Sequence, residues 1–394
     1  MGPRGFKAAG IASGLKADEG AKDLALLVSE VPAVVGGAFT KNRVKAAPVL
    51  YTRQCIRTGV CRAVLVNSGN ANACTGERGV ADARRSAKVV ANALGIPRSQ
   101  VLVSSTGVIG EFLPVERIER GVPSLVEELS SEGFKDAAQA IMTTDTYPKM
   151  VADRVVLEGR DVTIFGMAKG AGMIRPQLAT MLAFVLTDAT VDASVLSGLV
   201  KEGVRRTFNR ITVDGETSTN DMVLVLANGA AGSPRLSPEA KTFQPFREAL
   251  FDAMNRLAMA VVHDGEGRTK VVEVRVQGVS RVMQGERIAF RVAHSPLVKT
   301  ALFGEDANWG RVMSALGDAG VPFDPRRVTI AFDDVMVVKR GMKVPETTEA
   351  QLKGVLQKEK FAIVIDLHQG SERVSVYTTD LSYDYVKINA SYRS

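Results

Sequence analysis

The chain has 394 residues, 45% hydrophobic and 24% charged, which is typical of a globular protein with two or three domains. It carries 50 Lys and Arg against 43 Asp and Glu, but the basic residues are scattered, which argues against nucleic-acid binding. No apolar run is long enough to span a bilayer, so no membrane association is expected. Three cysteines at unsuitable spacings and three histidines predict neither a disulfide framework nor a metal site, and indicate a reducing cytoplasm.

Buried strands that end in polar loops predict an α/β layer in the first half of the chain. A strand at 62–67 ends in the small polar loop 68–76, and a second strand at 101–103 ends in the loop 104–110. Functional sites of α/β layers lie at such loop ends. The other predicted elements are β-like segments at 33–35 and 48–51, helices at 82–94, 114–131 and 134–141, and a hairpin of strands 151–158 and 161–166.

The central segment 169–180 is rich in glycine and runs into the apolar segment 181–186, which predicts a strand buried on both faces. Thr180 therefore lies where a turn-forming loop meets a rigid element, a placement that suits a nucleophile. Taken alone, a threonine at the start of a strand is more often there for β propensity. A phosphate-binding loop is excluded, because Lys169 precedes the glycines instead of following them.

The second half predicts a helix after Asp192, a strand at 222–227 and a long helix at about 237–263. From Lys270 the pattern becomes strand-rich, so we place a domain boundary near 280. Strands are predicted at 271–276, 288–292, 328–332, 335–338, 361–366 and 373–378, and a helix near 295–311.

Eight ordered motifs together are far more specific than the central segment alone. The string Lys-Gly-x-Gly-Met-Ile-x-Pro-x-x-Ala-Thr-Met-Leu, at 169–182, resembles the self-cleaving site of the ornithine acetyltransferase (ArgJ) family. The remaining matches lie at 67–76, 105–110, 142–146, 208–221, 264–267, 295–311 and 385–394. The resemblance implies an α/β fold, with a layered α-β-β-α self-cleaving main domain at 1–280. A smaller strand-rich α+β C-terminal domain follows at 281–394.

The resemblance also implies a set of site residues. The chain would cleave itself between Ala179 and Thr180, into an α chain of 1–179 and a β chain from 180. The freed Thr180 would be the nucleophile, with its own α-amine as general base. Thr106 and Gly107 would form the oxyanion hole. The implied substrate-binding residues are Thr143, Lys169, Thr180, Glu266, Asn389 and Ser394.

The activity implied by the resemblance is acetyl transfer from N-acetyl-L-ornithine to L-glutamate, without a cofactor or metal, in arginine biosynthesis. Two cleaved copies are implied to form a heterotetramer of two α and two β chains. Use of acetyl-CoA as a second donor is left open, and related self-cleaving aminopeptidases leave hydrolysis as an alternative. The chain departs from the family pattern, with bearing on substrate preference, at Arg175, Gln177, Arg268, His294 and Ala307.

Overall fold

The structure, a computed structural model, describes residues 2–175 and 181–391, which fall into two compact units. The first unit holds the described residues up to Asn209 together with Glu216–Val261. The second holds Arg210–Gly215 together with the described residues from Val262 onward. The strand at Val271–Val279 precedes the boundary predicted near 280, and within the described part of the chain it pairs with strands of the second unit.

The first unit is built on one mixed sheet of eight strands, in the order β4-β3-β2-β8-β7-β6-β5, with β1 paired to β2. Its strands are β1 (Phe6–Ile11), β2 (Leu24–Phe39), β3 (Val60–Asn67), β4 (Val101–Ser105), β5 (Lys149–Leu157), β6 (Arg160–Lys169), β7 (Leu182–Thr187) and β8 (Met222–Ala227). Its helices are α1 (Ala47–Cys55), α2 (Gly76–Leu94), α3 (Val115–Glu127), α4 (Phe134–Ala140), α5 (Ala193–Arg206) and most of α6 (Phe243–His263).

Strands β7 and β8 form the apolar centre of this sheet. They run parallel, and every residue of both strands is buried, which explains their continuous apolar sequences. The strands β3 and β4 also run parallel, so the polar loops that follow them begin at the same edge of the sheet. The predicted hairpin of β5 and β6 is confirmed, and β6 delivers the chain to the central segment.

The second unit is built on a six-stranded sheet in the order β12-β11-β10-β13-β9-β14. Its strands are β9 (Val271–Val279), β10 (Thr329–Phe332), β11 (Val335–Lys339), β12 (Met342–Lys343), β13 (Lys360–Asp366) and β14 (Glu372–Thr379). Its helices are α7 (Val282–Ala293), α8 (Pro296–Phe303), α9 (Trp309–Gly317), α10 (Glu349–Leu356) and α11 (Tyr383–Ser391). The mixed α/β class and the strand-rich C-terminal part are as predicted.

Two segments predicted as strands are helical. Residues 48–51 lie in α1, where Pro48 occupies the first turn, a position whose N–H needs no helical partner. Residues 288–292 lie in α7, whose buried positions Gly285, Ile288, Ala289 and Val292 follow the helical period. Short apolar runs do not by themselves distinguish a strand from a buried helix face.

Candidate active site

The loop after β4 places Thr106 and Gly107 against the loop after β3. The N–H of Thr106 donates to the carbonyl of Asn67 (3.0 Å), and the N–H of Val108 donates to the carbonyl of Gly69 (3.3 Å). Gly107 has φ +130°, and a Cβ built there would lie 2.3 Å from the carbonyl carbon of Gly69. This close approach of two backbones requires glycine at position 107.

Asn220 joins the same two loops from a third segment. Its Nδ2 donates to the carbonyls of Ala71 (2.6 Å), in the loop after β3, and Ser105 (2.8 Å), the last residue of β4. The hydroxyl of Ser105 donates to Oδ1 of Asn67 (2.6 Å), which adds a direct link between the strands that carry the loops. The position of the Thr106–Gly107 peptide is therefore set by several buried hydrogen bonds.

Lys169, the last residue of β6, brings two predicted site residues together. Its ammonium donates to Oγ1 of Thr143 (2.6 Å) and to Oγ1 of Thr106 (3.3 Å), and the lysine is only 3% exposed. A buried ammonium requires several acceptors or a counter-charge. Its counter-charge is Asp145, whose Oδ2 lies 3.9 Å from the ammonium.

Two donors at this site have no acceptor among the residues that the structure describes. One is the backbone N–H of half-buried Gly107, and the other is the hydroxyl hydrogen of Thr106, whose oxygen already accepts from Lys169. A hydroxyl and an adjacent N–H with free hydrogens can bind the negative oxygen of a tetrahedral intermediate. Donation from Lys169 strengthens the Thr106 hydroxyl as a donor, because hydrogen bonds in a chain polarise one another.

Asp145 is the buried carboxylate of the cluster. Its Oδ1 accepts from the ammonium of Lys149 (2.6 Å) and from the N–H of Gly170 (2.6 Å), and its Oδ2 accepts from the N–H of Thr143 (3.0 Å). Burial alone would raise the pKa of Asp145, but Lys169, Lys149 and the Gly170 N–H together hold the pKa below its usual value. The carboxylate is therefore ionised at neutral pH.

Thr180 and Ala179 lie outside the described residues, but the residue after Thr180 is anchored by Asp221. Oδ1 of Asp221 accepts the N–H of Met181 (3.0 Å), and Oδ2 is buried without a hydrogen-bond partner in the described part of the chain. Burial raises the pKa of Asp221 well above its usual value, against the opposing effects of the Met181 N–H and Ser218. The carboxyl group that holds the residue after the predicted nucleophile is therefore harder to ionise than an exposed aspartic acid.

Two of the remaining predicted substrate residues, Glu266 and Asn389, lie in the second unit. Asn389, on α11, donates to Oε2 of Glu266 (2.8 Å), so these two predicted substrate residues are in direct contact. Glu266 lies in the turn between α6 and β9, and Ser394 lies outside the described residues. A carboxylate with one oxygen engaged by an amide retains acceptor capacity for a cationic group.

The departures from the family pattern have ordinary local partners where the structure describes them. His294 is hydrogen-bonded to Oγ1 of Thr212 (3.0 Å) and stacks on Phe290. Arg268 donates to the carbonyl of His263 (2.5 Å) and pairs with Glu359 (2.9 Å). Arg175 is exposed, Ala307 packs against the core of the second unit, and Gln177 lies outside the described residues.

Four polar residues of this site were not singled out from the sequence: Asp145, Lys149, Asn220 and Asp221. Asp145 lies inside the motif at 142–146, and Asn220 and Asp221 end the motif at 208–221, directly before an entirely apolar strand. Polar residues directly before a fully apolar strand were the sequence signal that could have indicated Asn220 and Asp221 as site residues. There was no such signal for Lys149 in the sequence, because a lysine at the start of a strand is usually solvated.

Among residues 2–175 and 181–391, no group of three or more His, Cys, Asp or Glu is placed to hold a metal ion. Within the same residues, no helix has the length and apolarity needed to cross a membrane.

Comparison with known proteins identifies close relatives along the whole chain. A model of the ArgJ family matches residues 7–394. The arginine biosynthesis bifunctional protein ArgJ of Geobacter sulfurreducens is 50% identical over 394 residues, covering 100% of both chains. The protein of the same name from Symbiobacterium thermophilum is 50% identical over 393 residues, covering 100% of this chain and 98% of its own. A crystal structure of the Bacillus halodurans protein is 40% identical, with a TM-score of 0.51 over 53% of this chain and 98% of that one.

Proposed function

Because the chain belongs to the ArgJ family, we propose that it transfers the acetyl group of N-acetyl-L-ornithine to L-glutamate through an acetyl-threonine at Thr180. The transfer serves arginine biosynthesis, since it releases ornithine and regenerates N-acetyl-L-glutamate. The observation that carries the proposal is the buried Lys169 ammonium, which donates to the hydroxyls of Thr106 and Thr143 next to the available N–H of Gly107. Such a constellation suits acyl transfer, in which a negative oxygen develops.

Maturation would begin with an N-to-O acyl shift at the Ala179–Thr180 bond. The hydroxyl of Thr180 attacks the carbonyl carbon of Ala179, the carbon–nitrogen bond breaks, and the nitrogen takes up the proton. Water then hydrolyses the ester and frees the hydroxyl. The new α-amine has a reference pKa near ~8, whereas an amide nitrogen is not basic, so cleavage supplies the catalytic base.

Each half of the transfer would then use the same groups. The α-amine takes the proton of the Thr180 hydroxyl as its oxygen attacks the acetyl carbonyl, and Thr106 and Gly107 donate to the developing oxyanion. Ornithine leaves with the proton, and acetyl-Thr180 remains. The amine of glutamate attacks this ester, and N-acetylglutamate leaves with Thr180 reprotonated.

The family resemblance extends the proposal to substrate recognition and assembly. Glu266 is a suitable partner for a substrate ammonium, and Asn389 and Ser394 complete the proposed binding set. The relatives are named bifunctional, which supports acetyl-CoA as a second acetyl donor for glutamate. We also propose that the cleaved α and β chains assemble as a heterotetramer.

Self-cleavage is tested by denaturing mass spectrometry of purified protein. The wild-type chain should give fragments 1–179 and 180–394, and Thr180→Ser, which retains a hydroxyl, should cleave as well. Thr180→Ala should remain one intact chain, because it has no hydroxyl to attack the preceding carbonyl. Two fragments from the alanine variant would refute this assignment.

The covalent intermediate is tested by kinetics and by mass. Reciprocal plots against N-acetylornithine at several glutamate concentrations should be parallel, and donor alone should add one acetyl mass to the fragment that begins at Thr180. Steady release of acetate without glutamate would instead indicate the hydrolase alternative. Intersecting lines without an acetylated fragment would indicate direct transfer in a ternary complex.

A further inference from the structure

Asp145 and Lys149 form a buried ion pair close to the Lys169 ammonium. Their oxygen and nitrogen are 2.6 Å apart, and neither side chain is exposed to solvent. Burying two charges costs much desolvation energy, and apolar replacements of similar size are often at least as stable. A stability role alone therefore explains this pair poorly.

The contacts of the carboxylate indicate another role. Asp145 binds the backbone on both sides of the Lys169 contact: the N–H of Thr143, whose hydroxyl accepts from Lys169, and the N–H of Gly170, which follows Lys169 in the chain. Rotation or displacement of the Asp145 carboxylate would therefore move the Lys169 ammonium together with its acceptor, the Thr143 hydroxyl.

Lys149 and Lys169 lie at different distances from the carboxylate of Asp145. Lys149 makes the close contact at 2.6 Å, whereas Lys169 remains at 3.9 Å from Asp145 and donates to the hydroxyls of Thr143 and Thr106. A third lysine, Lys16, influences the same group electrostatically, but its ammonium donates to the carbonyl of Lys22 (2.8 Å). Of these three lysines, Lys149 is thus the one that donates a hydrogen bond to the Asp145 carboxylate.

We propose that Asp145 and Lys149 are positioning residues, in which Lys149 binds the carboxylate so that the Lys169 ammonium stays on the hydroxyls of Thr106 and Thr143. Without Lys149, the carboxylate attracts Lys169 alone and draws it away from Thr106. The proposal rests on the proposed function for its catalytic consequence, since it requires that Lys169 and Thr106 serve the transfer.

The test is a double-mutant cycle of Lys149→Met and Asp145→Asn, with Lys169→Met as the reference for loss of the ammonium. Lys149→Met should lower kcat/KM roughly tenfold to a hundredfold, as expected for a displacement near 1 Å. The double variant should recover most of that loss, because an asparagine no longer attracts Lys169 and its Oδ1 still accepts a backbone N–H. Lys7→Met, which breaks an exposed ion pair with Glu30 in the same unit, controls for the substitution and should leave kcat/KM unchanged.

Melting temperature provides a second readout that does not depend on the substrate. Asp145→Asn should lower it by roughly 5 °C or more, since it leaves buried ammonium groups without their carboxylate, and the double variant should regain part of this loss. A wild-type chain without transferase activity would refute the proposed function. The melting temperatures of the two single variants and the double variant would still test the interaction between Asp145 and Lys149.

Two results would overturn the positioning role. One is a folded, cleaved Lys149→Met protein with wild-type kcat/KM. The other is a folded double variant that is no more active than Lys169→Met. If the pair were merely structural, the activity losses of Lys149→Met and Asp145→Asn would add up in the double variant. If Lys149→Met does not fold, the activity of the double variant relative to Lys169→Met decides the question.

Discussion

Gly107→Ala tests whether the close approach of two loop backbones sets the oxyanion hole. A Cβ at this position lies 2.3 Å from the carbonyl carbon of Gly69 and 2.5 Å from the nitrogen of Asn70, whereas real Cβ contacts essentially never fall below 3.0 Å. The two backbones must therefore separate by about 0.7 Å, as the distances of 2.3 and 3.0 Å require. The φ of +130° adds strain of about 1–3 kcal/mol, because only glycine occupies this region readily.

A displacement of this size at the oxyanion donors should lower kcat roughly tenfold to a hundredfold. The matched control is Gly110→Ala in the same loop, where φ is +87° and a Cβ meets nothing within 4 Å. It should lower the melting temperature through strain alone and leave kcat near the wild-type value. We would measure kcat for ornithine release in cleaved protein, together with melting temperature. Equal kcat values for the two variants would refute the argument.

Four further predictions concern three side chains. Thr106→Ala should lower kcat roughly a hundredfold or more in cleaved protein, while Thr106→Ser, which keeps the hydroxyl, should stay within about tenfold of wild type. Asp221→Ala should lower the free energy of unfolding by about 1–3 kcal/mol, because it leaves the buried N–H of Met181 unpaired. Because the raised pKa of Asp221 makes wild-type stability fall as pH rises above 3.8, Asp221→Asn should melt at least as high as wild type at pH 7. Burial lowers the pKa of Lys299 from 10.5 to about 8, so the folded protein binds fewer protons than the unfolded chain between those values. Stability should therefore rise with pH in this window, and Lys299→Met should lose that rise in melting temperature; an unchanged slope would contradict the reasoning.

The sequence alone determined most of the strands and the α/β class, because continuous apolar runs bounded by polar residues, such as β7 and β8, are typical of strands buried on both faces. It also determined the family, since several ordered motifs match along the whole chain. It did not resolve short apolar segments such as 288–292, where the helical period emerges only when the flanking buried positions of α7 are known.

Only the tertiary structure decided how the site is held together. Asp145, Lys149 and Lys169 come from a loop, the start of β5 and the end of β6, and sequence spacing does not state that their charges meet. In the same way, the requirement for glycine at 107 comes from the backbone of Gly69, which is 38 residues away along the sequence. Residue types carry the chemistry of single side chains, whereas desolvation and charge pairing depend on which segments the fold packs around them.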